Sequence, residues 1–151
     1  MPVRDVETWT PEETEAVGET LGRAASGGEL IGLVGELGAG KTCFVRGLAR
    51  GLGIDPERVH SPSFTIATEY PGGRLPLVHV DLYRLEAPTD DGFLRDVLYG
   101  PGVVAVEWFD RLADDAGDVV RITLTYRGDG RMIRVAADGD RARRLLERAA
   151  L

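Results

Sequence analysis

The chain alternates between stretches with apolar residues at helical spacing and short, nearly uninterrupted apolar runs. Thr10-Pro11-Glu12-Glu13 reads as a helix start, with a hydroxyl at the cap, proline at the first helical position and glutamate at the third. It predicts a helix over 11–25, stopped by Ser26-Gly27-Gly28. Leu30-Ile31-Gly32-Leu33-Val34 reads as a parallel strand buried on both faces. Apolar positions 44, 45, 48 and 52 then mark one face of a second helix, with Gly51 or Gly53 as its stop. Residues 54–62 hold two prolines and read as a loop. The alternation over 64–70, the turn Pro71-Gly72-Gly73 and the run 77–80 predict a hairpin. A short helix over 90–99, closed by Gly100-Pro101-Gly102, precedes another continuous apolar strand at 103–106. Strands at 120–126 and 132–136 flank the turn Arg127-Gly128-Asp129-Gly130, and a last helix covers 140–150. This order predicts a single three-layer α/β domain over 1–151, with a mixed rather than all-parallel sheet.

Between the first strand and the second helix lies Gly35-Glu36-Leu37-Gly38-Ala39-Gly40-Lys41-Thr42, with the spacing G-x-x-x-x-G-K-[ST] of a phosphate-binding loop. Lys41 is the only lysine in the chain; every other basic side chain is arginine. A compact ammonium on a flexible stem reaches the β- and γ-phosphates in a way that a planar guanidinium does not. The glycines let successive backbone N–H groups turn toward phosphate, and the helix that follows adds its positive dipole end. Thr42 offers a hydroxyl to Mg²⁺. The strand–loop–helix context therefore predicts a P-loop NTPase-like fold with a mostly parallel sheet, and a nucleotide-binding segment running from Gly35 to Cys43.

Composition narrows the function. At 151 residues there is room for a real core, and a net charge of −7 argues against the chain holding nucleic acid by itself. The densest basic group, Arg141, Arg143, Arg144 and Arg148, reads as a solvated or partner-facing helix surface. One cysteine, Cys43, excludes an intrachain disulfide and reads as a small packed residue. No apolar run is long enough to span a bilayer and the first residues lack a signal pattern, so a cytoplasmic protein is expected. The chain has no asparagine and no glutamine. The Asn-Lys-x-Asp reader of guanine and a water-positioning glutamine are thus excluded, which favours ATP over GTP.

Two predicted strands end in a carboxylate, Val78-His79-Val80-Asp81 and Val104-Ala105-Val106-Glu107. Ligands of open α/β sheets sit off the carboxyl ends of the strands, so Asp81 and Glu107 are candidates for holding a metal or positioning water. Ser63, in His60-Ser61-Pro62-Ser63-Phe64, lies where a switch-like segment would approach a γ-phosphate, and also reads as a Ser-Pro turn. Trp108 is either a neighbour of the nucleotide or core.

These four blocks, the loop Gly35 to Thr42, Ser61-Pro62-Ser63-Phe64, His79-Val80-Asp81-Leu82-Tyr83-Arg84 and Glu107-Trp108, resemble the TsaE (YjeE) family, the small bacterial ATPases of tRNA threonylcarbamoyladenosine biosynthesis. The resemblance spans nearly the whole chain. It implies that Lys41 and the loop amides hold the phosphates of ATP, that Thr42 and Glu107 ligate Mg²⁺, and that Asp81 acts near the γ-phosphate or on the attacking water. Trp108 becomes a functional neighbour of Glu107, and by position Thr10 and Arg131 are candidates for the adenine pocket. It also implies partners, TsaB and TsaD, which carry out the transfer and hold the tRNA. Glu36, Cys43 and Ser63 depart from the family's usual aspartate, threonine and threonine.

The competing readings are a small-molecule phosphate-loop kinase and a nucleotide-dependent binding module. A kinase requires an acceptor pocket and an arginine-bearing lid, for which only Arg84 and Arg95 offer themselves.

Overall fold

The computed structural model describes residues 3–36, 38–60, 67–83, 98, 100–111 and 117–151. Seven strands form one sheet: β1 (Val3–Thr8), β2 (Leu30–Gly35), β3 (Ala67–Tyr70), β4 (Leu77–Asp81), β5 (Val103–Glu107), β6 (Val119–Arg127) and β7 (Gly130–Asp138). Their spatial order is β1-β7-β6-β2-β5-β4-β3. The pairs β2–β5, β2–β6 and β4–β5 are parallel, while β1–β7, β6–β7 and β3–β4 are antiparallel. Only β3 and β7 therefore run against the common direction, and the sheet is mixed and mostly parallel, as the element order predicts. Both predicted hairpins form, β3–β4 and β6–β7. The predicted strand start at 64–66 and the predicted helix over 90–99 lie outside the described residues, Leu98 excepted. No described helix is long and apolar enough to cross a membrane.

One strand was not foreseen. β1 has five side chains exposed or half-exposed, three of them charged, so no apolar pattern announces it. Its place is set by backbone pairing along β7, from Val3 opposite Ala136 to Thr8 opposite Arg131. The Arg134 guanidinium beside Asp5, with bonds of 2.9 and 3.1 Å, holds that carboxyl below its usual range. Charged side chains on such an edge also discourage pairing with another chain.

Helices α1 (Pro11–Ala24), α2 (Lys41–Gly51) and α3 (Asp140–Ala149) contribute to one apolar cluster on one sheet face. The opposite face carries a second cluster that includes Val80, Val104, Val106, Leu98 and Phe109. The start of α1 forms as its sequence predicts: Thr10 Oγ1 accepts from Glu13 N at 3.1 Å, and Glu13 reaches back to Trp9 N at 2.9 Å. Helix α3 begins at Gly139, which has no side chain to cap it; Asp118 instead accepts from Arg141 N and Ala142 N, both at 2.9 Å. The arginines of α3 are partly structural. Arg148 donates to Ala24 O and to buried Glu29, Arg141 donates to Gly28 O, and Arg143 pairs with Asp140.

Helices α1 and α2 cross with glycine against backbone. A Cβ on Gly47 would lie 1.9 Å from Glu15 O, and one on Gly18 would lie 2.3 Å from Phe44 O. Gly22 and Gly51 face each other's helix in the same way. Helix propensity alone favours alanine over glycine by about 0.8–1.0 kcal/mol, so a Gly47→Ala variant weighs propensity against this contact. A rigid backbone oxygen cannot swing aside, and the overpacking cost of about 1–3 kcal/mol wins. Gly47→Ala is expected to lower the thermal midpoint by several degrees, followed by circular dichroism; an unchanged or raised midpoint would show that the helices separate freely.

Candidate functional site

The loop between β2 and α2 turns on two glycines in the left-handed region, Gly38 at φ +82° and Gly40 at φ +109°. A side chain at either position is strained, which accounts for glycine there. Gly40 precedes the first residue of α2, so Lys41 and Thr42 open the helix with its free N–H groups beside them.

Lys41 is 5 % exposed. Its ammonium donates to Gly35 O at 2.6 Å and Glu36 O at 2.9 Å, and it stands 4.2 Å from the centre of the Trp108 ring. Burial pushes its pKa down, against the pull of the Glu107, Asp81 and Asp110 carboxylates. Trp108 is one of two non-glycine residues with positive φ, at +59°, among the described residues. That strained backbone links the end of β5 to the 3-10 turn Phe109–Arg111 and aims the indole back at the loop. Tyr83 packs against the same indole with ring centres 5.1 Å apart, and Arg111 lies over both rings while donating to Tyr83 O at 2.9 Å.

Register brings the two strand-end carboxylates together. Asp81 on β4 stands directly opposite Glu107 on β5, on one face of a parallel pair. Glu107 is buried, and the Thr42 hydroxyl donates to its carboxylate at 2.9 and 3.2 Å. The same carboxylate accepts from Nε2 of His79, which is fully buried on β4. Asp81 accepts from Tyr83 N at 2.9 Å. Lys41, Thr42, Asp81, Glu107 and Trp108 are thus gathered at the end of β2, β4 and β5.

On the other side of the loop is a cavity of about 340 Å³ lined by residues that include Trp9, Thr10, Gly38, Ala39, Cys43 and Arg131. Thr10 and Arg131 therefore sit together although far apart in sequence. Arg131 donates to Gly130 O at 2.9 Å and reaches Gly38 O at 3.5 Å, with its guanidinium 4.3 Å from the centre of the Tyr126 ring. The Cys43 thiol donates to Pro11 O, joining α2 to the start of α1. Leu37 and Ser63 lie outside the described residues. Sequence reading missed His79 as a site residue, along with Tyr83, Arg111 and Trp9. A histidine two residues before a strand-end carboxylate, hence on the same face, was the available signal for the first.

Fold and site define a mixed α/β protein organised around a glycine-rich strand–loop–helix unit, with a buried carboxylate facing the start of the helix. Residues 8–134 match the family model described as "Threonylcarbamoyl adenosine biosynthesis protein TsaE". The chain belongs to this family. It is 41 % identical over 142 residues to the tRNA threonylcarbamoyladenosine biosynthesis protein TsaE of Bacillus subtilis, covering 93 % of this chain and 89 % of that one. The Nostoc protein of the same name is 42 % identical over 125 residues, covering 79 % and 76 %. The crystal structure of YdiB from Bacillus subtilis superposes with a TM-score of 0.82 at 36 % identity, across 99 % of this chain and 95 % of that one.

Burial pushes the Cys43 thiol above its ordinary value, reinforced by Glu15 and opposed by Arg46. A raised thiol pKa leaves less thiolate at any given pH, so iodoacetamide should alkylate Cys43 slowly at neutral pH. The rate, followed by mass spectrometry, should rise through a midpoint above the value of about 8.5 for a free cysteine. A midpoint at or below that value would contradict the half-buried placement of the thiol.

Proposed function

We propose that this chain binds Mg-ATP on the Gly35–Thr42 loop and hydrolyses it as a component of the tRNA threonylcarbamoyladenosine modification machinery, in the cytoplasm, with TsaB and TsaD counterparts. The observation that carries the reading is the bond between the Thr42 hydroxyl and the Glu107 carboxylate, with the Lys41 ammonium buried beside them. Family membership supports the pathway.

The donors at this point are a hydroxyl and carboxylates, the hard oxygen set that suits Mg²⁺, which commonly takes one or two carboxylates and completes its shell with phosphate and water. Thr42 and Glu107 would hold the cation, which when bound offsets the charge on the phosphate oxygens. Lys41 would exchange its two carbonyl partners for β- and γ-phosphate oxygens, and the loop N–H groups through Cys43 would cradle the remainder. Asp81, opposite Glu107, would orient the attacking water. Trp108 would keep one side of the Lys41 ammonium dry. The cavity beyond Gly38 would take the adenosine, with Thr10 and Arg131 at its wall; about 340 Å³ is within the range of about 300–1,000 Å³ usual for small-molecule sites. With Arg141, Arg143 and Arg148 of α3 engaged in internal bonds and a net charge of −7, tRNA would be met through the partners.

The deciding experiment is phosphate release from Mg-ATP by the chain alone and with its TsaB and TsaD counterparts. A slow basal rate that rises with the partners is expected. A rate indifferent to them would count against the reading, and phosphorylation of an added small acceptor would establish a kinase instead. Lys41→Ala should lower the stimulated rate by about a hundredfold or more while leaving the circular dichroism spectrum unchanged. Glu107→Ala should weaken nucleotide binding in the presence of Mg²⁺ more than in its absence; equal losses would take Glu107 off the metal.

A further inference from the structure

His79 is an anomaly in the core. It sits mid-strand on β4 between Val78 and Val80, fully buried, where an aliphatic residue would pack without penalty. One ring nitrogen, Nε2, is bonded to Glu107, while the other, Nδ1, is buried with no hydrogen-bond partner among the described residues. A carboxylate oxygen only accepts, so Nε2 carries a proton and donates it to Glu107. Buried polar atoms in folded proteins are nearly always satisfied. A fold that tolerates an orphaned nitrogen to place one N–H against one carboxylate oxygen has a use for that N–H beyond packing.

The geometry of Glu107 shows the use. Its Oε2 receives His79 and also the shorter of the two Thr42 contacts, 2.9 Å, whereas Oε1 has only the longer one, 3.2 Å. His79 comes from the rigid centre of a parallel pair, two residues before the Asp81–Glu107 register position. Thr42 meets the same carboxylate through a hydroxyl, whose proton is redirected by rotation about a single bond.

We propose that His79 is a positioning residue: its Nε2–H pins Oε2 of Glu107, so that Oε1 faces the loop ready for a cation while the Thr42 hydroxyl is released to bind it. The proposal rests on the Mg-ATP reading of the site. His79 touches neither nucleotide nor cation; it acts through Glu107, as partners of metal-ligating side chains commonly do.

The test is nucleotide affinity, followed by Trp fluorescence or calorimetry, across a Mg²⁺ titration and in EDTA, on the parent chain, His79→Leu and His79→Gln. His79→Leu removes the donor and keeps an apolar filling. It should lower the apparent Mg²⁺ affinity of the nucleotide complex by about tenfold to a hundredfold. Affinity in EDTA should hold, whereas the thermal midpoint combines loss of a buried bond to Glu107 with removal of the orphaned nitrogen and is recorded only to establish folding. His79→Gln returns an N–H near the Nε2 position and should stay within about threefold of the parent. A purely structural histidine would lower both affinities together, and that result overturns the proposal. So does an unchanged Mg²⁺ affinity in a folded His79→Leu chain. Should the leucine variant fail to fold, a folded glutamine variant with a tenfold or larger loss of Mg²⁺ affinity overturns it equally. A parent chain whose nucleotide affinity ignores Mg²⁺ brings down the Mg-ATP reading and this inference with it, which is distinguishable because no variant is involved. Nitrogen-15 spectra of the ring supply a readout without ligand: a protonated Nε2 is expected, with its N–H signal moving in Glu107→Ala. A bare Nε2 would overturn the assignment.

Discussion

Helix α2 lies where it does because glycine meets backbone along its crossing with α1. Four glycines, Gly18 and Gly22 on one helix and Gly47 and Gly51 on the other, remove the side chains that would hold the axes apart. Close approach of two backbones maximises dispersion contacts and leaves no polar group stranded, since each helix satisfies its own interior bonds. The consequence is positional. The N-terminal end of α2 is delivered to the end of β2, which puts Lys41 and Thr42 beside Glu107, and the capped start of α1 is delivered to the other flank of the loop. This close crossing of glycine against backbone thus sets both walls of the site, the carboxylate wall and the cavity wall.

Electrostatics at that position are left unbalanced. Lys41 is buried among carboxylates, yet burial outweighs their attraction and its pKa falls. The site therefore holds a cation that its own anions do not fully stabilise. Two backbone carbonyls and an indole face substitute for the missing counter-charge. An incoming polyanion would reverse this balance. On the opposite side of the same cluster, Glu107 is held by the Thr42 hydroxyl and by His79.

The central architecture was legible because its signals are local. Buried parallel strands such as β2 and β5 read as uninterrupted apolar runs, the α1 cap is spelled out in four consecutive residues, and the loop motif fixes its own strand and helix. What escaped depends on pairings across the chain. β1 has the composition of a charged terminus and becomes a strand only because β7 offers it an edge. His79 reads as an ordinary residue of an alternating strand, and its meaning comes from a partner 28 residues away on the neighbouring strand. The pairing of Arg131 with the Tyr126 ring beside Gly38, and of Arg111 with Tyr83 and Trp108, belongs to the same category. Thr10 and Arg131 were placed near the nucleotide by resemblance rather than by any property of the two residues, and the cavity that joins them exists only after the sheet closes. The four arginines of α3 are exposed, as a solvated helix surface requires, but a sequence does not show that the Gly28 carbonyl meets Arg141 or that Glu29 and the Ala24 carbonyl meet Arg148.

A chain with one lysine offers a lysine-specific protease one place to cut. Here that bond follows Lys41, in the first turn of α2, with the side chain buried under Trp108. The folded form presents no extended segment there to a protease, so cleavage follows only from openings that detach the loop from the carboxylate wall. The single scission of this polypeptide is therefore a clock for the opening of its own glycine-rich loop, and any ligand that locks the loop would be seen as a lengthening of the uncut chain's lifetime.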